Sequence, residues 1–390
     1  MVSLLLAIIY LAFISLGLPD PILGAAWPVM SNQLEVDISY MGIITFIISC
    51  CTIISSLLSD KLIAKIKIQN VIIISVLLTA IALLGFSFAN HFYILCLLAI
   101  PYGLGAGAID SALNNYVALH YSSKDMQWLH CFWGIGTLLS PYIMSYALTL
   151  NNNWHLGYRI VFFIQLAIAF ILIISLPLWK KKQMQDEKEN QPPLVLSFKE
   201  KFKIKGAILV FIGFMSYCAF EATIMNWTST YLVNAKKIDT TTAAAFASLF
   251  YIGMTLSRFL LGIFSNKIKD KTLIRIGSVI IAFSIVLILL PFKNNLICLI
   301  GFVLIGVGCG PIYPCIVHST PINFGKQNSQ AIIGLQMAFA YLGCTLMPPL
   351  FGFLSNITSI KLLPYYILFF FILMSIMLEM LNFKIKKQKN

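Results

Sequence analysis

The sequence predicts an all-α membrane protein with 12 transmembrane helices arranged as two related six-helix bundles. Apolar segments long enough to span a bilayer recur along the whole chain, one polar linker divides them, and short motifs of the first half return in the second. Hydrophobic residues make up 59% of the chain and charged residues 11%, with a mean hydropathy of +0.89. A soluble domain needs more charged surface, so lipid is the expected solvent.

The length of the apolar segments predicts helices. A hydrocarbon core about 30 Å thick requires roughly 20 helical residues, whereas a barrel strand shows about ten alternating ones. The predicted spans are 2–30, 40–60, 69–89, 91–119, 127–149 and 158–179, then 206–233, 241–265, 272–292, 294–319, 328–355 and 361–382.

The one long polar stretch sets the predicted domain boundaries. Residues 1–179 form the first bundle, 180–205 a basic cytoplasmic linker, 206–383 the second bundle, and 384–390 a cytoplasmic tail. We expect a monomer.

The net charge of +13 reflects membrane topology and not nucleic-acid binding, because Lys and Arg lie in short connections between apolar segments. With both termini inside, 21 basic residues fall on the cytoplasmic side and five on the other. This split predicts a multi-pass protein of the cell membrane with cytoplasmic termini. The nine cysteines form no CxxC pair, so we expect neither a metal nor a cofactor.

The two halves repeat each other. Three glycines spaced two residues apart in span 4 return in span 10 at a constant offset of 203, and Ser59-Asp60-Lys61 after span 2 returns as Ser265-Asn266-Lys267 after span 8. These matches indicate duplication. The glycine triplets are Gly103, Gly105 and Gly107, and Gly306, Gly308 and Gly310. Small residues let helices approach closely, so we predict a packing role for them.

Three carboxylates lie within predicted spans: Asp20, Asp110 and Glu221. An ionised group in hydrocarbon costs roughly 2.5–3.5 kcal/mol or more, so all three should face the bundle interior. Burial disfavours the charged form and contact with water restores it, which makes each residue a candidate proton carrier. The alternative is that a carboxylate simply hydrogen-bonds a neighbouring helix.

Span 1 contains helix-breaking residues around Asp20, namely Gly17, Pro19, Pro21, Gly24 and Pro28. Proline removes a backbone donor and frees a carbonyl, so a broken helix here would expose backbone to a solute. A kink that only serves packing is the alternative.

Polar and aromatic residues near the middle of spans are the candidates for solute binding. Amides bond hydroxyl groups and aromatic rings cover apolar faces, a combination that suits a sugar. The predicted set is Asn114, Asn115, His130, Trp133, Trp227, Tyr313 and Gln336. For Trp227, packing or a place at the membrane interface is the alternative, and His318 is interpreted as structural.

Three charged residues are candidate gating residues. Arg258 lies inside span 8 and should pair with a carboxylate or with helix-end carbonyls. Asp60 and Lys61 follow span 2, where simple solvation of both charges is the alternative.

Several motifs carry a family resemblance. The chain has two six-span halves, a basic linker and Asp60-Lys61 after span 2, span 4 contains Gly103-Leu-Gly-Ala-Gly-Ala-Ile-Asp110, and span 8 contains Ser257-Arg258-Phe259. Together they resemble the major facilitator superfamily, and within it the fucose/proton symporter family and its glucose-transporting relatives. The span 5 motif from Leu129 to Pro141 is similar too, with His130 and Trp133 where that symporter has Gln and Asn.

The resemblance implies the major facilitator fold and places Asp20 and Asp110 where the family has a pair of acidic residues for substrate and proton handling. We therefore expect proton-coupled symport of a small polar solute, such as a monosaccharide, by alternating access. Proton-driven efflux of an amphipathic compound or metabolite is the alternative, and sodium coupling stays open. No Asp-x-x-x-Asp or HExxH enzyme motif occurs, so no enzyme is expected.

Overall fold

A computed structural model describes residues 4–150, 153–180, 194–265, 268–290 and 295–389. The helices of the first half are α1 (Leu4–Gly17), α2 (Ile22–Gln33), α3 (Met41–Leu57), α4 (Ser59–Ile66), α5 (Ile68–Phe86), α6 (Phe92–His120), α7 (Ser123–Thr149) and α8 (Trp154–Ile174). Those that follow are α9 (Phe198–Lys203), α10 (Ala207–Asn234), α11 (Thr240–Phe264), α12 (Asp270–Leu289), α13 (Asn295–His318), α14 (Thr320–Phe324), α15 (Lys326–Ile357) and α16 (Leu363–Lys389).

Eleven helical segments of the described residues are long and apolar enough to cross a membrane, and each coincides with a predicted span. The predicted span 127–149 forms α7, which is 27 residues long and so about 40 Å, enough to cross the bilayer. Its composition is less apolar because it carries polar residues such as Gln127 and His130. A helix that faces a polar interior is expected to have this composition.

The helices group into two compact units. Unit 1 takes in the described residues of Met1–Tyr116, Leu129–Leu196 and Lys326–Met337, with α5 packed on α8. Unit 2 takes in those of Val117–Trp128, Ser197–Gly325 and Ala338–Asn390, with α13 packed on α11 and α12, and α10 on α16. Residues 117–128, which run from the last turn of α6 into the first turns of α7, are called the connecting segment below.

The first glycine of each triplet brings the backbones of two helices into contact. A Cβ atom at Gly103 would collide with the carbonyl oxygen of Ile48 in α3, and one at Gly306 with the carbonyl oxygen of Phe250 in α11. The predicted packing role of the triplets is confirmed.

The middle glycines make an equivalent contact on another helix. A Cβ atom at Gly105 would lie 2.6 Å from the carbonyl oxygen of Ser75 in α5, and one at Gly308 would lie 2.8 Å from that of Gly277 in α12. Each triplet therefore packs against two corresponding helices of its own unit, as duplication predicts.

The first span is broken where its prolines predict. Helix α1 ends at Gly17, residues 18–21 form a turn, and α2 starts at Ile22. Asp20 lies in this turn, so its carboxylate and the nearby backbone are not shielded by regular helix.

Part of the predicted linker is described. Residues 181–193 lie outside the described residues, as do Lys267 and Lys293 of the charge count. Residues 198–203 form α9, which begins with a capping box between Ser197 and Glu200. Hydrogen bonds from Ser197 hold the pKa of the Glu200 carboxyl below its usual range. The predicted domain boundaries stay a prediction.

Candidate functional site

Asp20 meets α7 at the break in the first span. The indole Nε1 of Trp133 donates a hydrogen bond to Oδ2 of Asp20 over 3.1 Å, and the aspartate is exposed. Two glycines make this approach possible: a Cβ atom at Gly17 would collide with the carbonyl oxygen of Trp133, and one at Gly136 would lie 2.5 Å from that of Ile14. Backbone contact between α1 and α7 thus fixes the position of the Trp133 indole relative to the break that contains Asp20.

Asp110 starts a buried chain of hydrogen bonds that leads to α7. Asn114 Nδ2 donates to Asp110 Oδ1 over 2.8 Å, and His130 Nε2 lies 3.1 Å from Asn114 Oδ1. All three residues are at most 6% exposed. Because the amide nitrogen faces the carboxylate, the amide oxygen must accept, and His130 therefore carries its hydrogen on Nε2. Phe13 packs its edge against the His130 ring at 5.5 Å.

The two aspartates lie next to one cavity. Pro19 and Ile109, which directly precede Asp20 and Asp110, line this cavity together with Tyr102 and other residues. We call Asp20, Asp110, Asn114, His130 and Trp133 the carboxylate cluster; all five belong to unit 1.

Glu221 has a different environment, in unit 2. Arg258 Nη2 lies 3.8 Å from its Oε1, and Arg258 Nε donates to the carbonyl oxygen of Gly310 over 3.3 Å. The Tyr217 hydroxyl lies 3.0 Å from both Glu221 Oε1 and the carbonyl oxygen of Cys309. Arg258 therefore pairs with a carboxylate and with a carbonyl, as the cost of an intramembrane charge predicts. Glu221, Arg258 and Tyr217 are called the arginine cluster.

The other predicted solute-binding residues are divided between these clusters and packing positions. Tyr313 is half-buried and packs on Phe214 at 4.6 Å and on Tyr217 of the arginine cluster at 6.3 Å. Trp227 donates to the carbonyl oxygen of Pro348 over 3.0 Å, a contact between α10 and α15. Gln336 is fully buried on α15.

Asn115 lies in another contact of unit 1. It accepts a hydrogen bond from Ser329 at the start of α15, and the adjacent Gln330 donates to Ser59 Oγ over 3.2 Å. Asp60 follows Ser59 and is buried in the first turn of α4.

The two predicted gating residues after span 2 point different ways, since Asp60 is buried whereas Lys61 is exposed. A carboxylate in the first turn of a helix is favoured by the helix dipole. The gating roles of Asp60, Lys61 and Arg258 stay predictions.

Comparison with known proteins identifies the family. The sequence profile of the Major Facilitator Superfamily matches residues 4–343 and again residues 209–389. The chain belongs to the major facilitator superfamily. Its second match lies in the second half alone, which agrees with the internal repeat. Proteins of this superfamily are transporters, so the protein is a membrane transporter of small solutes and not an enzyme.

Two curated superfamily members show the range of named functions. The glucose/mannose transporter GlcP of Bacillus subtilis is 22% identical over 397 residues, covering 97% of this chain and 94% of GlcP. The quinolone resistance protein NorA of Staphylococcus aureus is 24% identical over 355 residues, covering 90% of this chain and 88% of NorA.

Two solved superfamily structures share the fold. FucP, the E. coli fucose:proton symporter, matches in its outward conformation with a TM-score of 0.77 and 14% identity, covering 96% of this chain and 99% of FucP. The proton:xylose symporter XylE bound to 6-bromo-6-deoxy-D-glucose matches with a TM-score of 0.77 and 11% identity, covering 95% of this chain and 93% of XylE. The predicted major facilitator fold is confirmed.

Sequence reasoning missed Tyr217 of the arginine cluster and Tyr102 beside the carboxylate cluster. Tyr217 precedes Glu221 by four residues, the spacing that places side chains on one helix face, and this signal was present in the sequence. Tyr102 lines the same cavity as Pro19 from another helix, which no local spacing indicates. Among the described residues, no group of three or more His, Cys, Asp or Glu side chains is arranged to hold a metal ion.

Proposed function

We propose that this transporter is a proton-coupled symporter of a small polar solute, such as a monosaccharide, and that it works by alternating access. The observation that carries the proposal is the buried hydrogen-bond chain from Asp110 through Asn114 to His130, which lies in the same membrane-embedded unit as Asp20 at the break of the first span. Asp110 is buried, and a buried carboxylate is costly to ionise, so it favours a bound proton while the site is closed. Opening of the site to water solvates the charge and releases that proton.

The side chains around the pair suit a sugar. Trp133 is half-buried and held by Asp20, so its ring offers a flat apolar face next to a carboxylate. Amide and imidazole groups follow at Asn114 and His130, and these groups bond hydroxyls as donors and acceptors. The names of GlcP, FucP and XylE, which refer to glucose, mannose, fucose and xylose, support the same solute class.

Uptake into proteoliposomes tests the proposal. The full chain is reconstituted, and labelled glucose, mannose, fucose and xylose are offered with an imposed proton gradient, with a sodium gradient, or with neither. We expect accumulation of at least one sugar only with the proton gradient. Uptake that ignores the proton gradient, or that needs sodium, contradicts the coupling. Absence of transport for all four sugars, together with proton-driven uptake of another polar solute, contradicts only the sugar assignment.

Efflux is the second candidate function, and the similarity to NorA over 90% of this chain favours it. Expression of the chain in a drug-sensitive bacterial host would then lower the accumulation of a fluoroquinolone. Unchanged accumulation together with proton-driven sugar uptake excludes this candidate.

We also propose that the protein lies in the cell membrane with both termini in the cytoplasm. The support is the excess of 21 basic residues on one side of the predicted topology over five on the other. Fusions of a reporter that fluoresces only in the cytoplasm test this orientation. Fluorescence from a fusion at residue 390 and none from one at Asn153, which precedes α8, is the expected result.

A further inference from the structure

Unit 2 contains a second buried acid–base pair outside the arginine cluster. Asp270 is the first residue of α12 and His318 is the last residue of α13. His318 Nδ1 lies 2.6 Å from Asp270 Oδ2, and the side chains are only 12% and 8% exposed, respectively. A histidine at a helix end has an ordinary structural role in most proteins, so its remaining contacts decide what it does here.

Both remaining polar atoms of the pair contact the connecting segment. His318 Nε2 lies 3.2 Å from the backbone carbonyl oxygen of Tyr121. Ser123 Oγ donates to Asp270 Oδ1 over 2.6 Å. The pair therefore lies between α12, α13 and the first residues of α7, and each of its members holds one residue of the connecting segment.

The number of hydrogens in this network follows from its geometry. A backbone carbonyl only accepts, so His318 Nε2 must carry a hydrogen. An ionised Asp270 also only accepts, so Nδ1 must carry a hydrogen as well, which makes the ring an imidazolium. If Nδ1 carries none, the hydrogen must be on Asp270 itself. In either case the pair binds one proton more than an ionised aspartate and a neutral histidine hold together.

We propose that Asp270 and His318 form a second proton-binding site, distinct from the carboxylate cluster, whose proton holds the connecting segment on α12 and α13. Without that proton, the ring has one hydrogen for two acceptors, so lone pairs face each other either between Nδ1 and Asp270 Oδ2 or between Nε2 and the Tyr121 carbonyl oxygen, and one of the two contacts breaks. The proposal does not depend on which solute is carried or on what drives its transport.

Neighbouring contacts hold further residues of the connecting segment on helices of the same unit, so we expect the whole segment to be released together. Gln127 Nε2 donates to Cys315 Sγ over 3.4 Å, one turn before His318 on α13. Trp128 packs on Phe259 at 5.1 Å, and a Cβ atom at Gly262 would lie 2.8 Å from its indole, so α11 is in direct contact as well. Met126, directly before these two residues, is completely buried, so we expect its sulfur to report release.

The charged groups that act on His318 are both acidic. Asp270 faces it from α12, and Asp125 acts on it from the connecting segment, where Ser122 donates to that carboxylate over 2.7 Å. Tyr121 contributes its carbonyl, and Cys315 lies on the same helix as His318. The contacts require the extra proton of the pair, so the segment is held at low pH and released as the pH rises.

Hydroxyl-radical footprinting of the full chain in lipid nanodiscs, read by peptide mass spectrometry, measures release through oxidation of Met126 and Trp128. We expect oxidation of both to rise between about pH 6 and about pH 8, with the released fraction changing by up to about tenfold per pH unit, as for one proton. A flat profile in the unmodified protein overturns the proposal.

Two variants and a control separate a proton site from a merely structural contact. In Asp270→Asn the amide supplies a permanent hydrogen to Nδ1 while its oxygen still accepts from Ser123, so Met126 stays protected at every pH. In His318→Gln one amide cannot serve both Asp270 and Tyr121, so Met126 is oxidised at every pH.

The control is Asp239→Asn. Asp239 is an exposed helix cap, and hydrogen bonds from Thr242 hold the pKa of its carboxyl below its usual range. It should keep the profile of the unmodified protein. A pH step retained in Asp270→Asn, or protection retained in His318→Gln, contradicts the proposal.

Discussion

The carboxylates of the two units have opposite surroundings. In unit 1, Asp20 and Asp110 receive hydrogen bonds from neutral groups, the indole of Trp133 and the amide of Asn114, respectively. In unit 2, Glu221 faces the permanent charge of Arg258. An arginine cannot give up its charge, so it opposes protonation of its partner, whereas neutral donors such as an indole and an amide carry no opposing charge. We propose from this difference that unit 1 exchanges the proton, and the proton-coupling role of Glu221 stays a prediction.

The largest expected effect comes from removing the fixed cation. Arg258→Met leaves Glu221 buried without its partner, and breaking a buried ion pair in this way typically costs about 3–5 kcal/mol. The free energy of unfolding, measured by denaturation in detergent micelles, should fall by that order. A loss below about 1 kcal/mol would mean that Arg258 does not compensate Glu221.

The double variant Glu221→Gln with Arg258→Met sharpens this prediction. Removal of both charges leaves no uncompensated ion, so the double variant should be more stable than Arg258→Met alone. If the two losses simply add, the residues are not coupled and the contrast between the units fails.

An adjacent pair of asparagines gives the next largest effect. Asn114 bonds Asp110 and faces His130, whereas Asn115 bonds Ser329, and both are buried. Asn114→Ala removes the amide that donates to the buried Asp110 carboxylate, which costs about 1–3 kcal/mol, and should strongly reduce proton-driven uptake. Asn115→Ala should keep the coupling and lose only about 1 kcal/mol of stability. Equal loss of uptake in both variants would contradict a specific role in coupling for the contact between Asn114 and Asp110.

The smallest effect concerns the exposed contact at the helix break. Trp133→Phe keeps an aromatic ring but removes the hydrogen bond to Asp20, so solute affinity should fall by about 1 kcal/mol, or roughly fivefold. Trp154→Phe is the matched control, because its Nε1 donates over 2.7 Å to the neutral side chain of Gln33. Binding measured by thermal shift should change only in Trp133→Phe. An equal change in both variants contradicts a specific role for the Asp20 contact.

The sequence predicted the features that depend on local pattern. Helix length and hydropathy located the spans, since the bilayer sets both. Pro19 and Pro21 located the break at Asp20, and the glycine spacing revealed the repeat and its packing role. The polar face of α7 made it the least evident span, because residues such as His130 contact buried polar partners and not lipid.

Partners across helices could not be predicted. Asn114 and Asn115 are neighbours in sequence but lie about 100° apart around α6, so they contact different elements, and the pattern placed both in the solute site. The Arg258 charge required some partner, but no spacing indicated Glu221 over a carbonyl. The same holds for His318, whose contacts with Asp270 and Tyr121 come from two other segments.

The most direct test of the contrast is the movement of protons that accompanies the solute. A pH electrode in a lightly buffered suspension of proteoliposomes records alkalinisation of the medium when a transported sugar is added. We expect alkalinisation with the unmodified protein, none with Asp110→Asn, and an undiminished signal with Asp37→Asn. Asp37 is an exposed cap whose pKa is held low by hydrogen bonds from Ser39. Sugar-dependent alkalinisation that persists in Asp110→Asn would contradict the assignment of the exchanged proton to unit 1.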